Sequence, residues 1–172
     1  LANLIEKVSG MSLKQYFNTR IFEPYGMRET FLYQFGDSVN IMLGHKSNKK
    51  VYSRNFISGV IGDKGIQSSI HDLYLWAKLI FSEKIIKKES LILLSTPHNP
   101  EKPFYNNYGY GFRIGCDGQK NIIFYHGGLW NGNHSLLVYR PYDQAVIVIL
   151  SNIYNKSFIG RSGDIFRILD EL

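Results

Sequence analysis

Hydrophobic residues recur at helical spacing in the first half of the chain, most regularly in the stretch IHDLYLWAKLIF. Its apolar residues fall on one face of a 3.6-residue period, Ser69 stands where an N-cap is expected, and Asp72 lies near the positive helix start. The pattern predicts a helix over residues 70–81. The residues that define its inner face are Ile70, Leu73, Ala77 and Ile80.

Three other stretches carry shorter helical patterns. The opening LANLIEKVSG is similar to the last turns of a helix that ends before Gly10. A Ser-x-x-Gln capping box begins a second helix, Ser12–Arg20. A third helix, Lys88–Ser95, stops before Pro97, because the residue that precedes a proline avoids helical backbone angles.

Beyond residue 107 the period changes from helical to alternating, which is typical of half-buried strands. Large apolar residues at 108, 110, 112 and 114 alternate with three glycines and an arginine, so we expect one strand whose glycine face lies close to other atoms. Ser135–Arg140 and Ala145–Ser151 are joined by PYDQ and should form an antiparallel hairpin. Apolar spacing predicts a final helix through Ile165, Ile168, Leu169 and Leu172.

These elements predict an α+β fold in which an antiparallel sheet packs with helices. We expect one domain over residues 1–172, with helices and loops in 1–107 and with antiparallel strands and the final helix in 108–172. Residues 31–61 show no sustained period, so we expect an irregular connection there with one short strand around Lys50–Ser53.

Composition excludes several classes of protein. The chain has 172 residues, of which 44% are hydrophobic, enough to bury a core. Its net charge is +6, but the lysines are spread over the surface and the densest cluster, HKSNKK, is interpreted as a solvated loop, so we expect no nucleic-acid partner. No stretch approaches the roughly 20 consecutive apolar residues of a membrane span. The single cysteine, Cys116, excludes an internal disulfide and a multi-cysteine metal site.

The stretch FYHGGLWNGNHSLLVY places an ionisable ring and two glycines between two strand-like runs. We interpret it as a tight bend with few side chains, His126 at its entrance and Trp130 and Asn131 within it. Those two residues either line a pocket or cover the core. Considered alone, His126 would be an ordinary turn histidine. The other histidines are interpreted as surface or capping residues: His45, His71, His98 and His134.

Four segments together resemble a known family. They are LIEKVSGMSLKQYFNTRIFEPYGMRETFL, GDKGIQSSIHDLYLWAKLI, YGYGFRIG and YHGGLWNGNHSLLVYRPYDQAVIVILSN. In order and spacing they are similar to the C-terminal part of the penicillin-recognising serine hydrolases, which include class C β-lactamases, D-Ala-D-Ala carboxypeptidases and related esterases. The resemblance covers nearly the whole chain and implies the β-lactamase/transpeptidase-like fold, C-terminal portion only.

The resemblance implies an acyl-transfer site built from Ser-x-x-Lys, Tyr-x-Asn and a Lys-Thr-Gly or His-x-Gly triplet on a strand that forms one wall of the site. His126-Gly127-Gly128 resembles the third motif, so the His126 ring would face the cleft and hold a substrate carboxylate or pass a proton. Gly128 would leave room for substrate along the strand edge. The N–H of Leu129 would be one oxyanion-hole donor. The implied substrate-binding residues are Gly127, Gly128, Leu129, Trp130 and Asn131.

By the same resemblance, the nucleophile and its base lie upstream of Leu1, in a missing N-terminal part of the same domain, and the chain alone should be inert. Ser47-Asn48-Lys49-Lys50 matches the first motif formally, but it has no apolar helix to bury the lysine. Tyr105-Asn106-Asn107 matches the second motif, but on the wrong side in chain order. The missing strands would leave an unpaired strand edge near residues 145–150.

The resemblance also implies which substrates and cofactors the complete protein would use. The complete protein would be a serine hydrolase without metal or organic cofactor, acting on a small-molecule or peptide substrate such as a β-lactam, a D-alanyl peptide or an ester. Family resemblance places it in the cell envelope or periplasm of a bacterium. The alternative is a non-catalytic module that uses the same cleft to bind cell-wall peptides or a protein partner.

Overall fold

The computed structural model describes residues 1–37, 41–53 and 56–157, together with residues 164, 167, 168 and 171. The chain divides into two compact units. The first contains Leu1–Met42 and Tyr52–Trp76, and the second contains Leu43–Val51 and Ala77–Leu172.

The first unit begins with two short helices. Helix α1 (Ala2–Ser9) ends at Gly10, whose φ of 69° is the left-handed conformation that glycine adopts without strain. Helix α2 (Leu13–Phe17) is capped by Ser12, whose hydroxyl accepts the backbone N–H of Gln15. The predicted second helix is therefore confirmed, and it continues as a π-helical turn over Asn18–Phe22.

Two short strands of the first unit were not predicted from the sequence. Strands β1 (Phe31–Leu32) and β2 (Ile66–Gln67) form a two-stranded antiparallel sheet. The expected strand around Lys50–Ser53 is wrong, because Val51 forms only an isolated bridge with His45, within the second unit. Such two-residue pairings are too short to produce a period in the sequence.

Helix α3 (Ile70–Phe81) has the bounds that the sequence predicts. Its N-cap is confirmed, since the Ser69 hydroxyl accepts the backbone N–H of Asp72 at 3.2 Å. Asp72 has a further role that the sequence did not indicate. Its carboxylate is 1% exposed and accepts hydrogen bonds from the Glu29 backbone N–H at 2.8 Å and the Thr30 hydroxyl at 2.7 Å. It therefore ties the loop at Thr30 to the start of α3.

The second unit contains a five-stranded sheet in which every neighbouring pair is antiparallel and the strands follow chain order. Helix α4 (Lys88–Ser95) precedes it, as predicted. The five strands are β3 (Asn107–Tyr108), β4 (Arg113–Cys116), β5 (Ile122–Trp130), β6 (Asn133–Arg140) and β7 (Ala145–Ser151). The β6–β7 hairpin and the α+β fold class are confirmed. Strand β7 ends the sheet and pairs with β6 alone among the described residues, as expected of an edge.

Both faces of this sheet are hydrophobic near its centre. On one face Ile123, Leu136 and Val138 form a buried cluster. On the other, the Phe81 ring at the end of α3 stacks on Tyr139, with 4.0 Å between ring centroids. The sheet is therefore held from both sides, which fixes β5 at its centre.

The single strand predicted over residues 108–114 is wrong. Residues 109–112 instead form a tight turn between β3 and β4, closed by a hydrogen bond from the Gly109 N–H to the Phe112 carbonyl at 2.8 Å. Gly111 supplies a φ of 85° in this turn. The expected close approach does occur at Gly109, where a Cβ would overlap the backbone carbonyl of Leu94.

The predicted final helix lies in a segment that is only partly described. Ile165, Leu169 and Leu172 of the predicted final helix lie outside the described residues, whereas Ile168 is helical. None of the helices among the described residues is long and apolar enough to cross a membrane.

Candidate functional site

The His126-Gly127-Gly128 triplet lies within strand β5, as the family resemblance implies, and the bend predicted at this position from its glycines is wrong. The chain reverses after Trp130, at Asn131 and Gly132, which have φ angles of 46° and 81°. Positive φ at both residues of a two-residue loop is what an Asn-Gly hairpin turn requires. Trp130 is therefore the last residue of β5, and Asn131 is in the turn itself.

One side of β5 loses its neighbour at the triplet. Strand β4 pairs with β5 only as far as Arg113 opposite Tyr125. Beyond that pair, residues 126–130 continue against β6 to the last pair, Trp130 opposite Asn133. Among the described strands, residues 126–129 therefore form a short unpaired edge on the side of β5 that β4 no longer covers.

The direction of the peptide groups along this edge follows from the register. In a hairpin with a two-residue loop, the closing pair, here Trp130 and Asn133, is hydrogen-bonded, and hydrogen-bonded pairs alternate along the ladder. Gly128 and His126 therefore direct their N–H groups to β6. Gly127 and Leu129 direct theirs away from β6, toward the unpaired edge.

The His126 ring, which is exposed, is held by a residue from another strand. Its Nε2 lies 2.7 Å from the hydroxyl oxygen of Tyr108, at the end of β3. The two rings meet edge to face with 5.9 Å between centroids, and the guanidinium carbon of Arg113 lies 5.6 Å from the Tyr108 centroid. Tyr108 thus joins His126 and Arg113, the first residue of β4, in a small polar cluster.

Gly128 lacks a side chain for a reason that is visible within the sheet. A Cβ at this position would lie 2.5 Å from the hydroxyl oxygen of Ser135 on β6. The role expected from the sequence, clearance for a substrate, stays a prediction. Leu129 and Trp130 are large apolar side chains that remain 53% and 40% exposed. Alternation along β5 places Trp130 on the same face as His126 and Leu129 on the opposite face, so an apolar ligand group that reaches His126 would find contact area at Trp130.

The Asn131-Gly132 turn is fixed by close backbone packing. Gly44 is buried against it, and a Cβ at Gly44 would overlap the carbonyl oxygen of Asn131. A Cβ at Gly132 would likewise overlap the backbone of His45. His45 is itself anchored, because its N–H donates to the Asn152 carbonyl at 2.7 Å. The segment around Gly44 therefore determines where the end of β5 lies.

Two of the remaining histidines, His134 and His98, make contacts that give them structural roles, whereas His71 is exposed. His134 was expected at the surface but is 5% exposed on β6, where its Nε2 accepts the backbone N–H of Asn155 at 3.3 Å. Burial lowers the pKa of His134, because the charged ring would lose hydration. His98 contacts the Leu93 carbonyl through Nε2 at 2.8 Å. In the described part of the chain, no group of three His, Cys, Asp or Glu residues is placed to hold a metal ion.

The two formal motif matches also have other surroundings. Ser47 and Lys50 are exposed in a turn closed by the Lys46 N–H and the Lys50 carbonyl at 2.8 Å. Asn107 is 5% exposed, and its side-chain amide donates to the carbonyl of Asn99 at 2.7 Å. These contacts give Asn107 a structural role.

A comparison with known protein families decides the family of this chain. A family model described as Beta-lactamase matches residues 1–169. The chain belongs to the β-lactamase family. The resemblance to penicillin-recognising serine hydrolases is thereby confirmed.

Individual members of the β-lactamase family are distant from this chain in sequence. A penicillin-binding protein of Bacillus subtilis (strain 168) is 26% identical, over 88% of this chain and 37% of the relative. A D-aminopeptidase of Brucella anthropi is 27% identical, over 77% of this chain and 26% of the relative. The octameric penicillin-binding protein homologue from Pyrococcus abyssi superposes with a TM-score of 0.78 at 24% identity, over 98% of this chain and 40% of that chain, which shows a shared fold. The chain therefore spans well under half the length of each.

Within this β-lactamase-family chain, the residues singled out from the sequence are contiguous in space because they are contiguous on β5 and its turn. Tyr108 also belongs to the site, and the sequence did not identify it as a contact of His126. Its place at the start of an alternating stretch was the one available signal. The sequence favours a packing role for the YGYGF tyrosines and leaves open that Tyr108 approaches the cleft, but only the β3–β4–β5 register shows which tyrosine meets the histidine.

Proposed function

We propose that residues 1–172 form the substrate-side part of a serine acyl hydrolase of the β-lactamase and D-alanyl-D-alanine carboxypeptidase type. The observation that carries the proposal is the unpaired edge of β5 at residues 126–129, where the Leu129 N–H faces outward on the same strand as an exposed histidine. The Ser-x-x-Lys nucleophile would belong to a longer polypeptide, which agrees with the small share of each relative that this chain covers.

The edge supplies what acyl transfer needs from a substrate-side wall. A substrate lying along residues 126–129 would pair with the outward-facing backbone groups of Gly127 and Leu129, which no described strand uses. The Leu129 N–H would donate to the oxygen that becomes negative in the tetrahedral intermediate, and one such donor contributes about 10²–10³ in rate. The His126 ring would bind a carboxylate of the substrate. A second oxyanion donor and the nucleophile would come from outside this chain.

The substrate class we propose is an amide whose acyl part is a D-amino acid, as in a D-alanyl peptide. Support comes from the two relatives, one named a penicillin-binding protein and the other a D-aminopeptidase. Exposed Trp130, on the same face of β5 as His126, would contact an apolar side chain of such a substrate, and exposed Leu129 offers apolar contact on the opposite face.

Covalent labelling of the longer polypeptide that contains residues 1–172 tests this function. A labelled penicillin and a labelled fluorophosphonate should both form an adduct on one serine outside these residues. Turnover of a D-alanyl peptide, compared with a p-nitrophenyl ester, measures the preferred bond.

Variants connect the activity to the proposed site. His126→Ala should lower kcat/KM by roughly 10- to 100-fold, the value of one hydrogen bond to a charged group. His71→Ala, an exposed histidine in the first turn of α3, should leave kcat/KM unchanged. Absence of any adduct with retained binding of cell-wall peptides would overturn the hydrolase and favour the non-catalytic binding module.

A further inference from the structure

Tyr108 has an unusually well-fixed backbone for a residue at the end of a two-residue strand. On one side it pairs with Arg113 of β4, and on the other its carbonyl accepts the N–H of His98 at 3.1 Å. Its own N–H donates to the side-chain oxygen of Asn107 at 2.9 Å. The Asn107 side chain is in turn held by the backbone of two nearby residues, Asn99 and Lys102. The backbone position of Tyr108 is therefore fixed by polar contacts outside the site, which hold the start of its side chain in place.

From this fixed origin the phenol reaches His126 Nε2 at 2.7 Å, a normal length for a strong O–H···N hydrogen bond. Tyr108 is 38% exposed, so the pair lies at the surface and a ligand can approach it. A neutral imidazole has one donor nitrogen and one acceptor nitrogen, and the partner of one nitrogen decides the role of the other. The Tyr108 contact therefore bears on the chemistry of Nδ1 as well as on the orientation of the ring.

The direction of the hydrogen bond follows from the two groups. A phenol O–H is a better donor than a neutral imidazole N–H, and the unprotonated imidazole nitrogen is a better acceptor than a phenol oxygen. Donation from Tyr108 to Nε2 is thus the stronger arrangement. It requires the imidazole proton to lie on Nδ1.

We infer that Tyr108 is a positioning residue that holds neutral His126 in the tautomer protonated on Nδ1, so that the ring offers a hydrogen-bond donor, and no base, to its ligand. The ligand group would be an acceptor such as a carboxylate or carbonyl oxygen. Its identification as part of a substrate rests on the function proposed above, whereas the tautomer itself does not. Without Tyr108 the ring would be free to exchange the proton between its two nitrogens.

Nitrogen NMR of protein labelled with ¹⁵N-histidine, containing all 172 residues, tests the tautomer. At a pH where the ring is neutral, we expect a pyrrole-type Nδ1 signal and a pyridine-type Nε2 signal for His126. Tyr108→Phe should move both signals toward the average of two exchanging tautomers. Tyr110→Phe is the matched control, because Tyr110 lies two residues away, stacks on His98 at 4.1 Å and should leave the His126 signals unchanged.

Three results would overturn the inference: a protonated Nε2 in the unsubstituted protein, unchanged signals in Tyr108→Phe, or an equal change in Tyr110→Phe. The first needs no variant, so the inference stays falsifiable even if Tyr108→Phe fails to fold.

Kinetics of the longer, catalytically competent polypeptide separate this inference from the proposed function. If His126 is a donor that binds substrate equally in the ground and transition states, Tyr108→Phe raises KM about tenfold with kcat nearly unchanged. A fall in kcat at constant KM would contradict the donor role and indicate proton transfer by His126. If no substrate is turned over, the proposed function fails while the NMR spectrum still decides the tautomer.

Discussion

At the scale of single residues, the backbone N–H of Leu129 is the group on which the proposed chemistry depends most. Its side chain is half exposed and its N–H faces the unpaired edge of β5. The side chain and the N–H can be removed separately, because alanine keeps the N–H and proline lacks it.

Leu129→Pro should lower kcat by about 10²–10³, the effect of losing one oxyanion donor, with little loss of fold. The fold should survive because the deleted N–H is not part of the β5–β6 ladder and proline is tolerated at such edges. Leu129→Ala should change kcat less than tenfold. Steady-state kinetics and far-UV circular dichroism check both variants, and equal kcat values for the two would contradict the oxyanion role.

His134 gives a prediction for pH that is independent of function. Burial lowers its pKa in the folded chain, so below about pH 6.5, its ordinary value, the unfolded chain binds more protons than the folded one. The free energy of unfolding should therefore be highest above this pH and should fall as the pH drops toward the folded-state pKa.

Urea titrations at a series of pH values measure this loss. His134→Gln should flatten the pH dependence, whereas His71→Gln, at an exposed position, should retain it. If the free energy of unfolding depends on pH equally in both variants, a group other than His134 is responsible.

Residue-scale reasoning from the sequence identified His126 because glycines followed it in a family-like context. It did not identify the Tyr108 contact, because 18 residues separate the two and only strand pairing brings them together. It also expected His134 at the surface, whereas His134 is buried. Exposed and buried positions alternate along a half-buried strand, and the sequence alone does not say which face of the strand is buried.

At the scale of elements, the turn between β4 and β5 is organised around the buried carboxylate of Asp117. Arg140 on β6 donates to it at 3.0 Å, and it also accepts the backbone N–H groups of Asn121 and Gln119. Burial by itself raises the pKa of Asp117, but hydrogen bonds from Asn121, Arg140 and Gln119 outweigh this effect, and the pKa lies below its usual value.

Asp117→Ala should lower the free energy of unfolding by roughly 3 kcal/mol or more, because it leaves a buried guanidinium without one of its partners. Asp143 is the matched control. It also pairs with Arg140, at 2.7 Å, but is 37% exposed, so Asp143→Ala should cost about 1 kcal/mol or less. Urea denaturation ranks the two variants, and an equal loss would refute the importance of burial.

The loop segment at Gly44 acts on another turn, Asn131-Gly132. Gly44→Ala should lower the free energy of unfolding by about 1–3 kcal/mol, because the added methyl group overlaps the Asn131 carbonyl and the turn must shift. Gly118→Ala is the control, since a Cβ there meets nothing within 4 Å. Chemical denaturation of both variants measures the difference, and a neutral Gly44→Ala would mean that the turn relaxes freely.

Among elements, long regular patterns were predicted well and short or interrupted ones were not. Helix α3 and the β6–β7 hairpin each carry a sustained period and a recognisable cap or turn. The stretch over residues 108–114 kept the alternation of a strand while its glycines allowed the chain to reverse, so periodicity alone gave one strand where there are two.

At the scale of the whole molecule, we expect the edge of β7 to govern how the 172-residue chain behaves on its own. β7 pairs on one side only among the described residues, and Leu150 is 39% exposed along it. Unpaired strand edges with apolar side chains favour pairing between chains.

The isolated chain should therefore self-associate at micromolar concentration, and Leu150→Lys should shift it toward monomer, because a charge on an edge strand opposes pairing. Ile92→Lys places the same charge on α4, at a residue that is 55% exposed but not on a sheet edge, and should have no such effect. Light scattering after size-exclusion chromatography gives the mass of each species. Association that responds equally to both substitutions would point to general hydrophobic contact.

The sequence by itself determined the α+β class, the main helices, the β6–β7 hairpin and the family, because these follow from local period, capping and motif order. Tertiary structure alone decided that the pairing between β4 and β5 stops at Arg113 and that Tyr108 meets His126. The physical reason is that register and strand length are set by pairing between segments that are far apart in the chain. The local sequence pattern does not show which of these segments pair, or at which residues.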